Sequence, residues 1–78
     1  MHSMHADNVQ VADVRTILSE DFSVKTINRV IMTIKTSLPG VSSIVLSDLR
    51  ILLAEDFSDK KINRIVMSLK CFCLKAYQ

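Results

Sequence analysis

Apolar residues return at steps of three and four along most of this chain. Val24, Ile27, Ile31, Ile34 and Leu38 make one stripe, and Ile62, Val66, Leu69 and Cys73 another, flanked by Ile65 and Phe72. Ahead of them run Val11, Val14, Leu18 and Phe22, with Ile17 beside them, and Leu46, Leu49, Leu53 and Phe57, with Leu52 beside them. That spacing puts each set on one face of an α-helix and predicts four helices. Ser23 and Ser58 stand at N-cap positions, where a hydroxyl can accept an orphan backbone N–H. Ser47 is placed to cap the third helix, with Leu46 and Ile51 as a hydrophobic staple. Lys35 and Lys70 fall near C-terminal ends, where the helix dipole favours cations. Pro39 and Gly40 end the second helix at Leu38. Arg29–Thr36 is rich in β-branched residues and would also fit a strand. The three–four spacing across the whole segment favours helix.

The four stripes are two copies of one pattern. Residues 11–36 and 46–71 align without a gap at an offset of 35, with identity at 13 of 26 positions. The expected fold is therefore all-α: a single domain over residues 1–78, with four helices built as a tandem duplication of a helical hairpin, or helix-turn-helix, with pseudo-two-fold symmetry. Both copies turn at Glu-Asp-Phe-Ser, where Phe22 and Phe57 should plug the inside of the corner. Val41–Ser43 completes the linker, and Met1–Ala6 is expected to be a flexible tail.

Composition sharpens this picture in one respect. The chain has 78 residues, 49% of them hydrophobic, and a mean hydropathy of +0.28. So small a monomer has a limited core, so a surplus of apolar helix positions points to a partner surface. Val30, Met32, Ile65 and Met67 lie off the main stripes and are its candidates, methionine being adaptable in such roles; a broad core that takes in all four is the equal alternative. Unbroken apolar runs reach only four residues, against the roughly 20 that a membrane helix needs. No secretory signal is evident. Cys71 and Cys73 are separated by one residue, poor geometry for a disulfide, so an intracellular, reducing compartment is expected.

Catalytic and metal chemistry find little support. A calcium loop starting at Asp21 would put Lys25 at a ligand position, Thr26 at the central glycine and Met32 at the closing glutamate. Starting at Asp56, it fails again at Lys60, Lys61 and Met67. Zinc would need ligands beyond the two cysteines, and only His2 and His5 remain, at the far end of the chain. No nucleophile–base pair or glycine-rich phosphate loop is present. Neither an enzyme nor a cofactor, metal or small-molecule substrate is expected. Solenoids of similar period need about three or more repeats.

One motif suggests nucleic acid. Phe-Ser-x-Lys-x-Ile-Asn-Arg occurs in both copies, and Phe22–Ile31 resembles the turn and recognition helix of helix-turn-helix regulators such as the lactose-repressor family. The resemblance covers about ten residues per copy. It implies that Lys25, Asn28 and Arg29, with Lys60, Lys61, Asn63 and Arg64, face DNA from segments 22–31 and 57–66. A helix N-terminus suits phosphate, and Asn and Arg read base edges. The pattern departs from the family in lacking the turn glycine, in a turn about two residues longer, and in the acids Glu20, Asp21, Glu55, Asp56 and Asp59 at the corners. Net charge is only +2, and four aromatic residues are too few for a base-stacking platform. The first expectation is thus a non-enzymatic helical module for protein–protein interaction, self-associating as a homodimer. A small DNA-binding regulator is the alternative.

Overall fold

The computed structural model describes residues 8–76, with side chains described through Cys73. The expected tail at Met1–Ala6, with His2 and His5, lies outside the described residues. In chain order come β1 (Asn8–Gln10), α1 (Val11–Leu18), α2 (Val24–Ser37), β2 (Ser43–Val45), α3 (Leu46–Leu53) and α4 (Asp59–Ala76). The structure is mostly helical, as expected. The addition is a two-stranded antiparallel sheet, where the sequence pattern suggested only linker at Ser43. In its register Asn8 pairs with Val45, Val9 with Ile44, and Gln10 with Ser43. Val9 and Ile44 at the centre are buried, while Asn8, Gln10 and Val45 are exposed. The Val11 N–H continues the pairing by donating to the Ser42 carbonyl at 2.9 Å.

Each strand runs straight into a helix, and this changes the expected capping. Gln10 and Val45 occupy the N-cap positions of α1 and α3 in extended conformation, and neither makes a side-chain cap bond. Ser47 therefore sits inside α3 and caps nothing. The staple also does not form, because Leu46 is buried while Ile51 is 72% exposed. The strand pairing fixes the direction in which each helix starts, which is the task a cap and staple would otherwise perform.

The two corners are built alike. In the first, Asp21 and Phe22 donate their N–H groups to Leu18 O at 3.1 and 3.0 Å; in the second, Asp56 and Phe57 do the same to Leu53 O at 3.1 and 3.0 Å. The expected serine caps are in place. Ser23 Oγ accepts from the Thr26 N–H at 3.2 Å, and Ser58 Oγ from the Lys61 N–H at 3.3 Å. Phe22 and Phe57 are half-buried and pack against the core. The linker turns through Leu38–Val41, closed by the Val41 N–H on Leu38 O at 3.2 Å. Pro39 fits the second position of that turn, and Gly40 at φ +80° supplies the positive φ that the third position of a type II turn requires.

The core is one apolar cluster drawn from all six elements, with no buried polar or charged residue among the described ones. Helices α1 and α2 pack together, as do α3 and α4, and cross-contacts α1–α4 and α2–α3 join the halves. Three residues of the predicted stripes and their flanks fall outside the core, among them Phe72 near the end of α4. Val24 is 68% exposed in the first turn of α2, and Leu38 is partly exposed beyond its end. Stripe membership at the ends of a helix does not guarantee cover, because the neighbouring helix is shorter.

Candidate interaction surfaces

The four off-stripe candidates divide cleanly. Val30 and Ile65 are fully buried and belong to the core, so they are corrected from interface to interior. They face inward because each long helix packs against both short helices, its own and that of the other pair, which widens its buried face beyond one stripe. Met32 and Met67 stand out at 66% and 55% exposure. They occupy matching places in the sequence repeat. The other large exposed apolar residues do not repeat this way. Val24, Ile51 and Val45 match Asp59, Thr16 and Gln10, while Leu38 and Phe72 match Cys73 and Ser37.

The polar residues of the helix-turn-helix-like motif are engaged within the chain. Arg15 donates from Nη1 to Oδ1 of Asn28 at 2.9 Å, and Arg50 makes the same bond to Asn63. Each asparagine thus ties its long helix to the short helix before it. Arg29 approaches Asp56 at 3.8 Å, and Thr33 Oγ1 donates to the same carboxylate at 2.8 Å. Arg64 lies over the ring of Phe22, 5.1 Å from its centroid, and Ser68 Oγ donates to Asp21 at 3.4 Å. Lys25 and Lys60 are exposed and Lys61 half-buried. Of the corner acids, Asp21 and Asp56 therefore receive hydrogen bonds from the helix opposite. Nothing in the local sequence pattern places these contacts, which join residues far apart in the chain.

Two grooves flank the helix pairs. One, about 450 Å³, has Val11, Ile31 and Val41 along its floor and Arg15 and Lys35 at its edge, with Gln10 and Ser42 nearby. The other, about 220 Å³, has Leu46, Val66 and Met67 with Arg50 and Lys70. No acidic residue lines either one. Sequence reading missed these grooves, although the repeated Arg-and-Lys pair was visible in it.

Cys71 is exposed and Cys73 buried, and Cys73 Sγ donates to the Asn8 carbonyl at 3.0 Å, tying α4 to β1. Among the described residues there is no cluster of three or more metal-ligating side chains. Nor is any helix there long and apolar enough to cross a membrane. No family model, curated protein or solved structure matches the chain.

Proposed function

We propose that the chain is a tandem duplication of one strand–helix–helix unit, with an approximate two-fold axis through the Val9–Ile44 pair. We propose further that it works as a non-enzymatic protein-interaction module, self-associating through the outer faces of α2 and α4. The duplication draws support from the sheet register and from the corner and asparagine contacts, which recur 35 residues apart. The observation that carries the interaction reading is the exposed methionine at the same place in each repeat, Met32 and Met67, over a core that is already closed. Other exposed apolar positions lost that character in one copy; these two kept it in both. A flexible thioether on an open helix face suits a protein surface that must adapt to its partner.

Nucleic acid is the weaker reading. Asn28, Asn63, Arg29 and Arg64, which would have to read or grip DNA, are held by partners within the chain. Sedimentation equilibrium over a range of protein concentrations tests the preferred one. Dimers should form at micromolar protein and vanish in the Met32→Lys/Met67→Lys double variant, with helix content unchanged. A wild-type chain that stays monomeric throughout would overturn self-association.

A further inference from the structure

We propose that the two cation-edged grooves are docking sites for acidic amphipathic peptide segments of another protein. Both grooves combine an apolar floor with one arginine and one lysine, and no acid lines either. Among the described residues the one ion pair joins Arg29 to Asp56, so Arg15, Lys35, Arg50 and Lys70 have no carboxylate partner. The acids Glu20, Asp21, Glu55, Asp56 and Asp59 sit at or beside the corners, and Asp13 and Asp48 line neither groove.

The arginines are nevertheless held in place. Asn28 and Asn63 each accept one guanidinium hydrogen bond. A neutral acceptor fixes the guanidinium without cancelling its charge, which an aspartate there would do. The rest of the fork remains available, and its planar geometry suits a carboxylate in two-point contact. This gives the duplicated Arg…Asn pairs a use beyond bracing the helices.

The floor chooses among anions. Phosphates of a nucleic acid would satisfy the cations and leave the half-buried Val11, Ile31 and Val41, or the exposed Met67 over buried Leu46 and Val66, without an apolar partner. No aromatic ring lines either groove to stack a base. A peptide helix with carboxylates beside leucine-like residues satisfies both parts of each groove, and helix-in-groove docking is a common way to recognise such segments.

The proposal does not rest on self-association; because Met67 belongs both to the second groove and to the proposed dimer face, the titration is read at protein concentrations where sedimentation gives monomer. The probe is a short fluorescein-labelled peptide with glutamate on one helical face and leucine on the other, titrated with the full chain and followed by anisotropy. Binding should be micromolar and should weaken as salt rises, because the charged edges are screened. The Arg15→Gln/Arg50→Gln variant should bind about tenfold more weakly. Lys35→Gln/Lys70→Gln leaves both arginine–asparagine bonds in place and should weaken binding by a similar factor of about ten. Both variants should keep the wild-type circular dichroism and the wild-type sedimentation behaviour. No binding of the peptide, binding by both double variants as tight as by the wild type, or tighter binding of a DNA duplex than of the peptide would each overturn the proposal.

Discussion

The two repeats present the same Glu-Asp-Phe-Ser corner, yet the facing helix holds each one differently. Asp56 receives a short bond from Thr33 and the approach of Arg29. Asp21 receives only a long bond from Ser68, while Arg64 turns onto the ring of Phe22. The facing residues differ by one methyl group, Thr33 against Ser68. A β-branched threonine has fewer side-chain conformations and holds its hydroxyl in place, whereas serine is freer. At the most deeply buried positions the repeats do not diverge: Leu18 and Leu53 are both fully buried, as are Ile34 and Leu69. Packing density leaves the interior little latitude, while exposed polar contacts follow small differences in what lies opposite.

The sharpest test of that contrast is the interior. Leu18→Ala and Leu53→Ala should each lower stability by about 3 kcal/mol in urea unfolding, the common cost of such a cavity. A large inequality between them would break the claim that the cores are alike. The corners come next. Phe57→Ala should cost about 2 kcal/mol, below the value for a fully buried ring because Phe57 is half-exposed. Phe22→Ala should cost about 0.5 kcal/mol more, since it also removes the face under Arg64. Matching values would mean the cation–ring contact contributes nothing. Loss of a cap is a smaller effect: Ser23→Ala and Ser58→Ala should each cost about 1 kcal/mol in the same unfolding measurement. Smallest are the acids. Asp56→Asn should destabilise by about 0.5 kcal/mol, a difference that fades in high salt, and Asp21→Asn by less. A reversed order would show that the distances at the two corners do not rank the contacts.

The helices and corners were legible because long amphipathic stripes and repeated serine caps are local signals. Ser23 and Ser58 cap as the sequence suggests, and Phe22 and Phe57 pack at matching corners. The strands were not legible. Three residues such as Ser43–Val45 are too few to show an alternating pattern, and they become a strand only because Asn8–Gln10 lies alongside. The error at Ser47 follows from the same gap, since a cap was sought where a strand fixes the start of the helix. Val30 and Ile65 were misassigned because one stripe was taken as the full buried width. The engagement of Asn28 and Arg29 depended on Arg15 and Asp56, which no local pattern places beside them.

The placement of the small sheet bears on how the chain folds. Its two strands come from opposite sides of the linker, and α1 meets α4 while α2 meets α3. Neither half can close its interior alone. A first half released from the second would lose the strand partner of Val9 and expose one side of both its helices. Unfolding should therefore be all-or-none, with the circular dichroism and NMR amide transitions coinciding. Strand pairing across 35 residues also places the slow event late, since loop closure must come before the pairing rewards it. The helix pairs can flicker into existence early, and the ribbon is the latch that makes them persist.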